Sequence, residues 1–419
     1  MERVIFHVDA NSAFLSWSAA YRVKVLGEKE DLREIPSAIA GDKNNRQGVI
    51  LAKSLPAKKM GVKTGEPIFQ AQRKCPNLLL VPPDYELYVA ASRHFTALLR
   101  EFSPLVEQYS IDEAWVDMTG TEGLYGTSIV AAELMRRRIN EELGFTVNIG
   151  ISSNKLLAKM AGDFEKPNKI HTLYSDEIAK KLWVLPVRDL FMVGAATERK
   201  LHLLGIQTIG ELANADPQIL QKKLGKPGVS LWYCANGRYS DVVLSRPEDN
   251  KGYGNSVTLP VDVTDAMQGY KVLLSLCETV SMRMRQDKKT TRCLTVSLRT
   301  DRFVDFSHQM TLPNATDSTE EMFRYACRIF DEAWDGETAV RQIGVHATHL
   351  EERGLRQYDL FDVAATQDYE SRARLDNTVD DLREKYGEGI LRRARFVGEE
   401  TVLAGGLSKH RRTGVTKPV

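Results

Sequence analysis

The chain opens on a short apolar run, Val4-Ile5-Phe6-His7-Val8, that reads as a strand ending at Asp9; a helical stretch from about Ala13 to Val25 follows. Pro36 to Ala40 and Gly48 to Ala52 read as β, and Ala57 to Met60 as the start of a helix stopped by Gly61. Gln108 to Asp117 has two β-rich arms with the adjacent acids Asp112 and Glu113 at the bend, the pattern of a hairpin. Phe145 to Ile151 is an apolar strand and Asn154 to Phe164 a helix. Strands and helices alternate irregularly, which predicts an α+β sheet rather than a doubly wound one.

From about Pro186 to Gly237 the pattern changes to short helices separated by glycines. Ser245 to Lys251, with Pro247, Asp249 and Asn250, has the composition of a linker. Beyond it, Gln286–Phe306 and Val340–His349 alternate with period two and flank the helical stretches Gly269–Arg285 and Ser318–Asp335. That predicts a second, smaller α/β unit. Near the end Leu375, Val379, Leu382 and Tyr386 recur at helical spacing.

Length and charge narrow the classes. A chain of 419 residues suggests roughly two to four domains. Its 42% hydrophobic and 27% charged residues exclude a disordered or fibrous protein. No apolar run approaches the ~20 residues that cross a bilayer, and the opening Met-Glu-Arg-Val-Ile-Phe-His-Val-Asp reaches charge again at Asp9 too soon for a signal peptide. The five cysteines (Cys75, Cys234, Cys277, Cys293, Cys327) are odd in number and form no Cys-x-x-Cys pair. They speak against a disulfide framework or zinc site and for reduced thiols in a cytoplasm. The net charge of +1 hides an uneven distribution. Residues 282–302 hold seven Lys or Arg against two Asp, so a polyanionic partner stays open.

The chemistry lies in three acids. Asp9 ends the first strand, and Asp112 and Glu113 sit at the hairpin bend. If those strands are neighbours, the carboxylates converge. Two Mg²⁺ ions need such hard oxygen ligands and keep coordination positions for water and phosphate. A metal pair of that kind serves in-line phosphoryl displacement. An Asp or an Asp-Glu pair is ordinarily a strand-end feature on a solvated rim. Here the apolar strand before Asp9 speaks against that, because burying a lone carboxylate is costly.

His7-Val8-Asp9, Tyr109-Ser110-Ile111-Asp112-Glu113-Ala114, Gly150-Ile151-Ser152-Ser153-Asn154-Lys155-Leu156-Leu157-Ala158-Lys159 and Lys166-Pro167-Asn168 resemble the palm motifs of Y-family translesion DNA polymerases. The resemblance runs in order from residue 3 to about 350. It implies a multidomain α+β right hand: palm over 1–30 and 76–180, fingers over 31–75, and a thumb with a helix-hairpin-helix over 181–244. A linker over 245–251, a little finger over 252–352 and a tail over 353–419 complete it. It implies low-fidelity, template-directed primer extension past damaged bases without proofreading. The metal ligands it implies are Asp9, the Ala10 backbone carbonyl, Asp112 and Glu113 around two Mg²⁺ ions, with Mn²⁺ as a possible substitute. Asn11 departs from the acid many relatives carry there.

The resemblance also places a steric gate at Phe14, an aromatic ring under the sugar that excludes a 2′-hydroxyl by shape. By pattern alone Phe14 is a core residue of the first helix. Lys58 and Lys166 are the implied triphosphate contacts. Lys58 stands where relatives have Arg and Leu55 where they have Tyr, which leaves Ser54 and Lys53 as alternatives. Phe191 to Leu201 followed by Leu204-Gly205-Ile206 resembles a helix-hairpin-helix, with Gly194, Ala195, Thr197 and Gly205 near a DNA phosphate and Met192 in place of the usual Gly. A looser copy runs from Leu224-Gly225 to Leu231. In the distal unit Leu294, Val296 and Leu298 alternate with Thr295, Ser297 and Arg299, an outer face suited to a duplex backbone or simply to solvent. Gln357-Tyr358-Asp359-Leu360-Phe361 resembles the bacterial sliding-clamp peptide, with Gln357, Leu360 and Phe361 as anchors. The implied partners are primer-template DNA, a dNTP and the clamp, with no membrane and a monomeric state. Two other readings stay open: a regulatory DNA-binding relative with weak synthesis, and a nucleotidyl cyclase, which has no use for the duplex-gripping motifs.

Overall fold

The computed structural model describes residues 3–41, 48–239, 242–245, 249–354, 363–387 and 390–396. The chain divides into two compact units, one built mainly from Met1–Ala40 and Ile50–Pro247, the other mainly from Glu248–Gly414. No helix among the described residues is long and apolar enough to cross a membrane.

The first unit contains β1 (Ile5–Ala10), β2 (Ser37–Ala40), β3 (Ile50–Lys53), β4 (Leu79–Val81), β5 (Val106–Gln108), β6 (Glu113–Asp117), β7 (Val147–Ser152) and β8 (Ile170–Thr172). Five form one sheet in the order β5-β6-β1-β7-β8, and β3-β2-β4 form a small second sheet. Strand periodicity sorts the large sheet into two faces. Phe6, Val8, Ala114, Val116, Ile149 and Ile151 enter a core with Trp17, Tyr88, Phe95 and Met135. His7, Asp9 and Glu113 alternate with them. Two amphipathic helices, Tyr85–Phe102 and Ser128–Arg138, complete that core. The strand-centred reading of the sequence did not resolve them, although Asp84 caps the first by accepting from the Leu87 amide at 3.0 Å.

On the polar face, helix Lys155–Gly162 lies against β7 with almost no gap. A Cβ at Gly150 would stand 1.9 Å from the Ala158 carbonyl oxygen and 2.4 Å from the Gly162 nitrogen. Asn154 starts that helix by accepting from the Leu157 amide at 2.9 Å. Farther on, short helices Ala195–Leu203, Ile209–Ala213, Pro217–Leu224 and Lys226–Ala235 pack around Leu201, Ile209, Leu212 and Leu231. Gly225, at φ +71°, joins the last two. Met192 holds φ +76° at the turn before the first. The place where Gly was expected is thus a left-handed position, which costs a side chain about 1–2 kcal/mol.

The second unit is an antiparallel sheet of β9 (Gly252–Val263), β10 (Lys289–Thr300), β11 (Asp305–Thr316) and β12 (Val340–Glu352), ordered β11-β10-β12-β9. Helices Ala266–Gln286 and Thr319–Ala333 pack on it around Leu273, Leu276, Val280, Phe330 and Val345. The single alternating stretch read over 286–306 is two strands, divided by a turn in which Phe303 takes φ +62°. β9 went unread; as an edge strand it accommodates Pro260.

Helix Val363–Tyr386 docks on helix Ala266–Gln286, with only part of the apolar stripe its sequence shows taking part: Val379 and Leu382 are half-buried. Leu375 and Tyr386 are exposed, while Asp376 and Arg383 are buried. The polar part of the contact is a set of ion pairs and hydrogen bonds. Arg285 donates to Asp380 at 2.7 Å, and Asp376 accepts from the Thr319 amide at 3.0 Å. Arg393 pairs with Glu278 at 2.6 Å and Arg383 with Glu278 at 3.5 Å. Gln357, Leu360 and Phe361 lie outside the described residues.

Two glycine-related substitutions test this backbone. Gly150→Ala is expected to lose about 3 kcal/mol or the fold altogether, since the clash is with backbone atoms that cannot rotate away. Denaturant unfolding measures it, and a loss below about 1 kcal/mol would mean that helix Lys155–Gly162 is not pressed on β7. Met192→Gly is expected to stabilise by about 0.5–1 kcal/mol, the relief of the left-handed turn less the added freedom of the unfolded chain. A lowered unfolding midpoint would contradict it.

Candidate active site

The acids are brought together by strand register. Antiparallel pairing of β1 with β6 sets Asp9 opposite Glu113, and the Ala10 amide donates to the Asp112 carbonyl at 3.0 Å. The expected hairpin is present: the Tyr109 amide donates to the Glu113 carbonyl at 3.0 Å, and the bend is Ser110–Asp112. Ser110, from the same motif, donates its hydroxyl to Asp112 Oδ1 at 2.6 Å.

Burial decides the electrostatics. It pushes the Asp9 carboxyl above its ordinary range although Lys166 is paired with it. Burial likewise raises Asp112, and the charges of Asp9 and Glu113 add to the rise. Glu113 goes the other way. Burial works to raise it, yet the His7 hydrogen bond and the Lys159 charge bring it down to about 2. His7 Nε2 lies 2.9 Å from Glu113 Oε2, and burial lowers the imidazole. The other ring nitrogen, Nδ1, has no hydrogen-bond partner among the described residues. Lys159 pairs with Glu113 and stands over the rings of Tyr109 and Phe191, at 5.3 and 5.4 Å.

This donor set suits a hard divalent cation. Asp9 and Asp112 offer oxygens whose ionised forms are disfavoured by burial and by each other, a cost that a nearby cation removes. Glu113 is turned into its ion pair with Lys159. Among the described residues no three acidic, His or Cys side chains are grouped closely enough to make a closed metal site as they stand. The expected convergence is therefore met by the backbone and only in part by the side chains.

Sequence reasoning missed His7 and Lys159 as partners of Glu113. The signal was available in part: His7 shares a strand face with Asp9 by period two. Lys155, four residues before Lys159, is instead structural, bonded to Glu107 at 2.7 and 2.8 Å and set over Trp115 at 4.6 Å.

Phe14 lies in the first turn of helix Ala13–Lys24, half-buried. Its ring stacks on Tyr88 at 4.3 Å with planes 7° apart and meets Tyr85 edge-on at 6.2 Å. It sits at the margin of the core rather than inside it. Lys58 is exposed in helix Leu55–Lys59. Of the two alternatives, Ser54 is consumed: buried, it accepts from the Ala57 amide at 3.2 Å and the Ser37 amide at 3.1 Å. Lys53 is half-buried, its ammonium pKa lowered by burial and by the charge of Lys58. Lys166 is paired with Asp9 and with Asp163 at 2.7 Å, an arrangement that holds it charged.

Gly194 precedes helix Ala195–Leu203 with open space where a Cβ would be, and Gly205, at φ +79°, follows it. Thr197 is half-buried and Ala195 exposed. In β10 the alternation is as read: Leu294, Val296 and Leu298 are buried, and Thr295, Ser297 and Arg299 are partly exposed. Arg299 is paired with Asp305 at 2.6 Å and the Ser297 hydroxyl with His346 at 3.2 Å, so that face is less freely cationic than its sequence suggests.

This architecture has known counterparts. The impB/mucB/samB family matches residues 8–163, and its C-terminal domain matches residues 250–360. DNA polymerase IV of Clostridium acetobutylicum is 44% identical over 96% of this chain and 100% of its own length. DNA polymerase IV 2 of Bacillus subtilis is 36% identical over 94% of both. A solved Y-family DNA polymerase chimera, 24% identical, superposes with a TM-score of 0.70 over 83% of this chain and 99% of its own. With a right-hand fold of palm, fingers, thumb and little finger, and relatives matched along nearly its whole length, the chain belongs to the impB/mucB/samB family of Y-family DNA polymerases.

Proposed function

We propose that this protein is a template-directed DNA polymerase that extends primers past damaged bases, with low fidelity and no proofreading. The observation that carries this is the register that sets Asp9 opposite Glu113, beside Asp112, at the polar end of β1. In this reading residues 1–30 with 76–180 are the palm, 31–75 the fingers, 181–244 the thumb and 252–352 the little finger.

Asp9, Asp112 and Glu113, with the Ala10 carbonyl, would hold two Mg²⁺ ions, or Mn²⁺ in their place. When bound, the ions supply the charge that favours in-line transfer to a primer hydroxyl. The protein's own part is positioning. Ser110 holds Asp112, while His7 and Lys159 hold Glu113 ionised and oriented. Lys166, with Lys58 and Lys53 from the fingers, takes the triphosphate, and Phe14 closes the space under the sugar. Gly194, Ala195, Thr197 and Gly205 in the thumb, and Thr295, Ser297 and Arg299 in the little finger, meet the primer-template backbone without reading sequence. Gln357, Leu360 and Phe361 form the sliding-clamp peptide. A monomer in the cytoplasm fits these assignments.

Two experiments test the reading. Asp112→Ala or Glu113→Ala should abolish nucleotide addition and leave primer-template affinity nearly unchanged, because the duplex is gripped elsewhere. Residual extension within about tenfold of wild type would sink the assignment of the acids. Phe14→Ala should admit ribonucleotides, measured as the ratio of rNTP to dNTP incorporation; an unchanged ratio would make Phe14 a core residue only.

A further inference from the structure

Asn11 stands just past the end of β1, two residues beyond Asp9, and is buried. Its Oδ1 accepts from the Asn168 amide at 2.9 Å and from the Thr146 hydroxyl at 3.0 Å, and its Nδ2 donates to Asn148 Oδ1 at 3.1 Å. Asn148 lies opposite Asp9 in β7 and is fully buried. Its Nδ2 donates to the carbonyls of Gly162 at 3.0 Å and Glu165 at 2.7 Å, and its Oδ1 also accepts from the Lys169 amide at 3.3 Å. The two side chains therefore anchor the segment 162–169 at four backbone points on either side of Lys166.

Which end of a side-chain amide is nitrogen is usually ambiguous. Here the partners fix it. Backbone carbonyls only accept, so the atom of Asn148 facing two of them is nitrogen. A backbone N–H only donates, so the atom of Asn11 facing Asn168 is oxygen. The remaining contact must then be a donation from Asn11 to Asn148. A carboxylate at position 11 cannot make it. Its lone pairs would face Asn148 Oδ1, and Asn148 cannot turn round without abandoning two carbonyl acceptors, the one at Gly162 buried. An amide at position 11 is thus matched to the amide at 148.

We propose that Asn11 is a positioning residue for the incoming nucleotide: through Asn148 it holds the segment 162–169 so that Lys166 stands beside Asp9 to receive the triphosphate, which rests on the reading of Lys166 given above. The family resemblance marks residue 11 only as a departure from an acid. The hydrogen-bond directions give it a task.

The test is single-nucleotide incorporation by the full chain on a primer-template, with KM for dNTP, kcat and primer-template affinity measured for Asn11→Asp, Asn11→Ser, Lys166→Ala and the two double variants. Asn11→Ser removes the bond to Asn148 without adding charge, and circular dichroism checks folding; if Asn11→Asp does not fold, Asn11→Ser decides. The expected result is a rise in KM of about tenfold for Asn11→Asp and about threefold for Asn11→Ser, with kcat and DNA affinity within about twofold. In the Lys166→Ala background both rises should shrink below about twofold, since a residue acting through Lys166 has nothing left to position. Unchanged KM in both single variants overturns the proposal. So does a rise that persists in full without Lys166, which would mark a direct charge effect on Asp9 or a general loosening. If Lys166→Ala alone leaves KM unchanged, the reading of Lys166 fails first and the proposal falls with it. If Lys166→Ala raises KM and the Asn11 variants do not, only the role of Asn11 fails.

Discussion

The pairing of β1 with both neighbours in one register is the constraint on which the rest depends. β1 is antiparallel to β6 and to β7, so Asp9 has Glu113 on one side and Asn148 on the other. A slip of one residue would turn Phe6 and Val8 out of the core and send the acids into it. Apolar burial on one face therefore fixes where charge is presented on the other. Gly150 adds the third dimension, letting helix Lys155–Gly162 approach β7 at backbone distance and bring Lys159 over Glu113.

The resulting cluster is balanced rather than relaxed. Burial and mutual repulsion disfavour the ionised forms of Asp9 and Asp112; the Lys166 ammonium answers part of that cost at Asp9, while Lys159 is spent on Glu113. Removing a partner from such a group exposes an uncompensated buried charge, which is why one substitution there reaches its neighbours. The cations and the buried amides beside them are as much a part of the site as the acids.

Much of this was legible in the sequence, and the omissions have physical reasons. β1, the hairpin at Asp112 and Glu113, and helix Lys155–Gly162 announce themselves by alternation, by a bend and by an Asn cap, all local features. The alternating face of β10 was placed by the same means, whereas pattern alone put Phe14 in the core and the structure has it at the core's margin. What stayed hidden are contacts between residues distant in sequence: Lys159 on Glu113, Asn11 on Asn148, Arg285 on Asp380. The acids and amides of such pairs carry no periodicity, and their partners are chosen by packing. Helix Val363–Tyr386 is present where the spacing of Leu375, Val379, Leu382 and Tyr386 read a helix, but that spacing gives no sign that Asp376, Asp380 and Arg383 share in its contact.

That ionic docking bears on how the second unit is delimited. Arg285 and Glu278 belong to a helix in the middle of the little finger; Asp317 lies near Arg285, but the ion pairs that answer the two come from beyond Glu352. A copy of this chain shortened to the end of β12 would keep every strand of the sheet and lose the ion-pair partners Asp376, Asp380, Arg383 and Arg393 of its central helix. Leaving one partner of a buried ion pair alone is far costlier than never having built the pair. For this protein the tail is therefore not an appendage to be trimmed at will: the boundary suggested by the sheet and the boundary required by electrostatic neutrality fall at different residues.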